Sequence, residues 1–219
     1  MVKGGIDNVP TSSELRARAR ESLSGNWTSA VLHVLLYSVV MGFLQFFNFI
    51  PLIGWIPGFL CAGVMTYGLS AFFLEMSRRR EATTETLFSG FSRFGDTLIL
   101  YLLMAIFTFL WTLLFVIPGI IAGFRYSQAY FILRDNPGIS PLEAISRSKE
   151  MMSGHKGRLF VLMLTFIGWA LLASLTLGIG YLWLAPYYQT ALAHFHNDLL
   201  MRNAPVPPPP PPQEPYYRG

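Results

Sequence analysis

Charged residues are scarce in this 219-residue chain and missing altogether from two long parts of it. No Asp, Glu, Lys or Arg occurs in residues 30–74 or 159–197, and residues 97–133 hold only Arg125. Charged side chains make up 13% of the sequence, about half the usual share of a soluble domain. One cysteine, Cys61, lies in an apolar run, so no disulfide can form within the chain. Catalytic signatures are also missing. There is no Gly-x-x-x-x-Gly-Lys phosphate loop, no His-Glu-x-x-His, no Gly-x-Ser-x-Gly, and no paired acids beside a base. Acids and bases are interleaved in every charged stretch, which is not the one-sided basic footprint of a nucleic-acid binder. The expectation is a protein with no enzymatic activity, no cofactor, no metal and no nucleic-acid partner.

What is present is apolar surface, at 53% of residues with a mean hydropathy of +0.43. It falls in three blocks, about 30–74, 97–133 and 159–197, each interrupted near its middle by Gly or Pro. The breaks are Pro51 to Gly58, Ile117-Pro118-Gly119, and Leu177 to Gly180, with Pro186 a little beyond. Gly and Pro clusters between periodic segments read as turns. Most halves are near the ~20 residues that cross a ~30 Å hydrocarbon core. Trp55 and Trp183 fall near these turns, where interfacial indoles are expected. The reading is an all-α membrane protein of six transmembrane helices in three antiparallel hairpins, with spans at about 30–49, 56–74, 97–117, 119–133, 159–177 and 181–198. Turns this short pair successive helices antiparallel.

Charged loops then share one side. Lys and Arg near span ends stay cytoplasmic, so residues 1–29, 75–96, 134–158 and 198–219 are expected inside, with both termini. Their net charges are +1, 0, +2 and 0, with Arg125 supplying the rest of the overall +4. That gives a mild attraction for anionic lipid. The polar first 29 residues do not read as a cleavable signal peptide. The fourth span is the weak one. At about 14 residues, Ile120 to Leu133 is short for a straight crossing, and a tilted span and a re-entrant segment both remain open.

The connectors carry helix signals of their own. Thr11-x-x-Glu14 has capping-box spacing before Leu15, Ala19 and Leu23 on one face. Ser140-Pro141-Leu142-Glu143 supplies an N-cap, a first-turn proline and a capping-box acid. Leu142, Ile145 and Met152 are expected to line its apolar face, with Glu143 and Arg147 paired at i,i+4. Leu87, Phe88 and Phe91 make a shorter apolar face after Thr84. Each hairpin is thus preceded by an amphipathic cytoplasmic helix, and the order repeats three times. From Met201 the chain reads as a disordered cytoplasmic tail, and its six consecutive prolines, 207–212, hold a polyproline II rod.

Arg125 is the leading candidate for a site. It lies seven residues past Pro118, about 10 Å along a helix at ~1.5 Å per residue. An intramembrane guanidinium is costly unless paired, hydrated or snorkelling, and such residues mark function by default. Tyr126, Gln128 and Gln189 are the side chains that could join it in holding an anionic headgroup. The structural alternative is a snorkelling arginine. Arg147, Lys149, His155, Lys156 and Arg158 form a second set, placed to meet lipid phosphates or a partner protein. His194, His196 and Asp198 resemble metal ligands only in sequence: His194 and Asp198 share a helix face, and His196 points away. Membrane lipids, anionic ones included, and a protein partner or second copy are the partners such surfaces fit.

The string from Ile117-Pro118-Gly119 through Phe124-Arg125-Tyr126-Ser127-Gln128 to Asp135-Asn136-Pro137 resembles the signature of a bacterial integral-membrane family, domain of unknown function 975. So do Glu143 to Phe160, and Phe166-Ile167-Gly168-Trp169 through Pro186-Tyr187. The resemblance extends over nearly the whole chain to about Leu199. It implies a multipass protein of the bacterial plasma membrane, mostly of Gram-positive organisms, with no assigned activity. It places Arg125-Tyr126 and Ser153 to Gly157 within family-like strings and supplies no mechanism. A scaffold or accessory subunit acting through contacts is the first functional expectation, and lipid or amphiphile binding at Arg125 the second.

Overall fold

Helices α1 (Ser12–Leu23) and α8 (Pro141–Met151) begin where local chemistry dictates. Thr11 Oγ1 accepts from the Glu14 amide while the Glu14 carboxylate accepts from the Thr11 amide at 2.7 Å, closing a capping box. Ser140 Oγ accepts from the Glu143 amide, and Glu143 accepts from Arg147 at 2.8 Å. The Thr11, Glu14 and Ser140 bonds satisfy amide groups that a helix start leaves without partners. In a computed structural model that describes residues 9–50 and 53–203, the other helices are α2 (Trp27–Phe46), α3 (Trp55–Ser77), α4 (Thr84–Phe88), α5 (Phe94–Leu114), α6 (Val116–Tyr126), α7 (Ala129–Asp135), α9 (Lys156–Leu175) and α10 (Tyr181–Asn203). Short 3-10 turns follow α2 and α4, and no strand occurs among the described residues. The proline tract and Pro51 lie outside those residues. Helix α10 continues to Asn203, so Met201 to Asn203 are helical where the tail was expected to have begun.

Four helical segments are long and apolar enough to cross a membrane: Trp27–Phe49, Trp55–Ser77, Thr84–Leu114 and Lys156–Leu175. The fourth expected span is not one helix. Helices α6 and α7 have 11 and 7 residues and part at Ser127 and Gln128. The cause is a side chain from α8. Ser148 Oγ donates to the Arg125 carbonyl at 2.7 Å and accepts the Gln128 amide at 3.2 Å, so a hydroxyl stands inside the i→i+4 ladder. The sixth expected span, α10, has 23 residues and ample length at ~1.5 Å each. It carries Gln189, His194, His196, Asn197 and Asp198 among its apolar residues, which takes it below the apolar level of the other four.

Three helices are central and three are peripheral. Helix α3 buries fourteen of its 23 residues, and α7 and α10 bury most of one or more faces. Helices α2, α5 and α9 bury only two, two and four residues and present the rest outward. The short helices close a cycle around the centre. Helix α4 lies on α3, α8 on α7, and α1 on α10. Each thus packs on the central helix of the preceding unit, and the first packs on the last. Helix α1 does so through buried Leu15, Ala19 and Leu23, with Ser22 Oγ 2.8 Å from His194 Nε2. Helix α8 differs from expectation in its buried face. Leu142 is exposed, and Pro141, Ala144, Ile145 and Ser148 face inward, with Met152 buried just beyond the helix. Small residues at 144 and 148 let α8 approach α7 closely enough for the Ser148 hydroxyl to enter its backbone.

Candidate functional site

The three central helices meet where their charged ends begin. Leu74, Phe131 and Ala193 form a small buried cluster from α3, α7 and α10. A polar junction sits directly beside it. Arg78, just past α3, donates to both Asp135 oxygens at 2.6 and 2.7 Å and through Nε to Asn197 at 3.0 Å. Asn197 in turn donates to Ser77 Oγ at 3.0 Å. His196 is fully buried, stacked on Phe131, with Nε2 at 3.2 Å from Asp135 and Nδ1 at 3.1 Å from the Gln128 side-chain oxygen. The Asp135 carboxylate can only accept, so the ring proton of that hydrogen bond sits on Nε2. Burial raises the cost of charging Asp135. The Arg78 and His196 hydrogen bonds outweigh it and hold the carboxyl well below its usual range. Next to this junction Arg134 donates to Glu75 at 3.1 Å, joining α7 to α3 a second time.

The second charged group staples α9 to α10. Arg158 donates to Asp198 at 2.7 Å and to the Pro10 carbonyl at 3.3 Å, and its guanidinium lies over the Phe195 ring. Arg202 donates to the same carboxylate at 3.1 Å. Burial, with Arg158 and Arg202 close by, pushes the His155 imidazole below its ordinary value and leaves it neutral at pH 7.

The residues anticipated for ligand binding are partly assembled. Arg125 closes α6 and is half-buried, and its Nε is enclosed without a hydrogen-bond partner. Tyr126 is buried, and the Lys149 ammonium stands 5.7 Å from its ring centre and 5.6 Å from that of Phe107. The two anticipated sets therefore touch at Tyr126 and Lys149. Gln128 faces the other way, into the His196 junction. Gln189 is half-buried on α10, with no hydrogen bond to Arg125 among the described residues. Of the basic set, Arg147 is tied to Glu143 and Asn136 and Arg158 to Asp198, while Lys156 is half-buried at the start of α9. His194, His196 and Asp198 go to three separate partners: Ser22, Asp135 with Gln128, and Arg158 with Arg202. No group of three side chains suited to a metal ion occurs among the described residues.

Sequence reasoning overlooked Arg78, Asp135 and Asn197. The signal was there in weak form, since each stands at the charged end of an apolar run. Their pairing spans 57 residues between Arg78 and Asp135 and 119 between Arg78 and Asn197, beyond the reach of any local pattern.

Helices and turns alone among the described residues, with four segments able to cross a bilayer and a polar junction at their charged ends, define a helical membrane-protein class. Within it the chain belongs to the family described as "Protein of unknown function (DUF975)", whose model matches residues 9–122 and 112–203. No curated protein matches the chain. No solved structure matches it either.

Proposed function

We propose that this is a six-span membrane protein, three hairpins with their charged ends in the cytoplasm, that works without catalysis as a scaffold or accessory subunit. The observation that carries this reading is how the charges are used. The half-buried Asp135 and the buried Asp198 pair with Arg78 and Arg158 and so tie helices of the same chain to one another. The surface left over is apolar helix wall and a mildly basic end, which suits lipid and protein contacts rather than chemistry.

The topology has a direct test. Single cysteines at Ile53 and Leu177, both exposed in hairpin turns, are introduced with Cys61→Ala. A membrane-impermeant maleimide on intact cells should label both and spare cysteines at Arg79 and Ser153. Labelling at Arg79 or Ser153 from outside would reverse or dismantle the arrangement.

A second reading is favoured by the unpartnered Nε of Arg125. Beside it Phe124 joins Phe160, Ile167 and Tyr188 around an apolar crevice of about 470 Å³. An anionic headgroup at Arg125, with its chain in that crevice, would satisfy both features. Native mass spectrometry from the source membrane separates the readings. The scaffold reading expects a bound protein or second copy that survives Arg125→Gln. The lipid reading expects an adduct of acidic lipid mass that the same substitution removes. A bare monomer in both proteins would defeat both.

A further inference from the structure

A groove of about 390 Å³ lies between α1, the start of α2, α9 and α10, within the ~300–1,000 Å³ range of small-molecule sites. Its walls are apolar, and Trp27, Trp169, Leu172, Ala173 and Trp183 line most of it. Trp169 and Trp183 are each 52% exposed there, so their indoles are open to whatever occupies the groove. One cation faces the groove, Arg20, and no acid lines it. Arg20 Nη1 donates to the Tyr187 hydroxyl at 3.1 Å and makes no ion pair among the described residues. Arg16 and Arg18 of the same helix also make no ion pair among the described residues, but neither lines the groove. An unneutralised guanidinium at the rim of an apolar, indole-lined slot is the complement of one kind of molecule. It needs an anion at one end and hydrocarbon along the rest.

We propose that this groove binds an anionic phospholipid of the surrounding bilayer, its phosphate on Arg20 and an acyl chain along Trp169, Leu172 and Ala173. A guanidinium grips phosphate through two parallel N–H donors, which the remaining Arg20 nitrogens supply. A zwitterionic lipid fits less well, because its ammonium would stand near Arg20 with no carboxylate to receive it. The site excludes Arg125 and shares only Leu184 with the crevice beside Phe124, and it rests on the chain being embedded in a bilayer.

Three of the five tryptophans line the groove, so fluorescence reads it directly. A protein carrying Trp55→Phe and Trp111→Phe is reconstituted into phosphatidylcholine vesicles, and flotation confirms insertion. Small mole fractions of lipid brominated on the acyl chains are then added, either phosphatidylglycerol or phosphatidylcholine. The brominated anionic lipid should half-quench at a mole fraction about fivefold lower, the effect expected of one well-placed cation. Arg20→Gln should make the two lipids equal, Arg20→Lys should keep most of the preference, and Arg125→Gln should leave it intact. Equal quenching in the parent protein overturns the site, as does a preference that survives Arg20→Gln or vanishes only with Arg125→Gln. Failure of the protein to float with the vesicles would instead overturn the membrane reading, and the site with it.

Discussion

Asp135→Leu should lower the unfolding free energy of the detergent-solubilised protein by about 3–5 kcal/mol, the usual cost of removing one partner from a buried ion pair. The Arg78 and Asp135 side chains are only 21% and 18% exposed, so the charge left behind has little water to turn to. Arg78 would lose two of its three hydrogen bonds, and the buried His196 its carboxylate. Thermal unfolding should show a drop of roughly 6–20 °C for a chain of this size. Arg78→Met with Asp135→Leu should recover at least half of the loss, because the double change leaves neither charge of the pair stranded. The pH dependence has a definite sign. A carboxyl held below its unfolded value stabilises the fold fully above pH ~4, and the contribution fades as pH falls toward the folded value. The gap between wild type and Asp135→Asn should therefore be flat from pH 5 to 8 and narrow below about pH 4. A gap that widens on acidification, or a single mutant as stable as wild type, would remove the junction from its role in holding the three central helices together.

The local features of this fold were legible in the sequence, and the features that join distant segments were not. Thr11 with Glu14 and Ser140 with Pro141 and Glu143 announced their helices, because a cap is decided by residues three apart. The face of α1 at Leu15, Ala19 and Leu23 followed from helical spacing alone. On α8 the same reasoning chose Leu142 for its hydrophobicity. The fold instead turned Ala144 and Ser148 inward, since closeness to α7 favours small side chains over oily ones. The break at Ser127 and Gln128 could not be read from 119–133 at all, because its cause, Ser148, lies 20 residues on. The paired ends of the central helices were likewise visible only as charges at span ends. Their geometry is tertiary, and nothing in the spacing of Arg78, Asp135 and His196 announces it. Arg125 and Lys149 were singled out separately, and the fold brings their neighbourhoods together at Tyr126.

Gly68→Ala should be among the most damaging single-methyl additions in the protein. A β-carbon at 68 would sit 1.7 Å from the Leu87 carbonyl oxygen and 2.7 Å from its carbon. These are backbone atoms of α4, so no side chain can swing aside to make room. The segment is held again a turn away, where a β-carbon on Gly90 would sit 2.2 Å from the Val64 carbonyl oxygen. Helix α4 therefore touches α3 backbone to backbone, and moving it would pull Leu87, fully buried, out of the core. Alanine is intrinsically better than glycine inside a helix by about 0.5–1 kcal/mol. Overpacking of this kind costs about 1–3 kcal/mol and occasionally more, and a rigid contact at this distance belongs at the upper end. The clash wins, and the net loss should be about 2 kcal/mol or greater. Gly42→Ala is the matched control, since nothing lies within 4 Å of its added carbon. It should hold or raise the melting temperature, while Gly68→Ala lowers it and exposes the 84–93 segment to protease. Equal stability of the two variants would mean that α4 does not dock on α3 in this way. The cycle of short helices, each resting on the preceding central helix, would then be open at that joint.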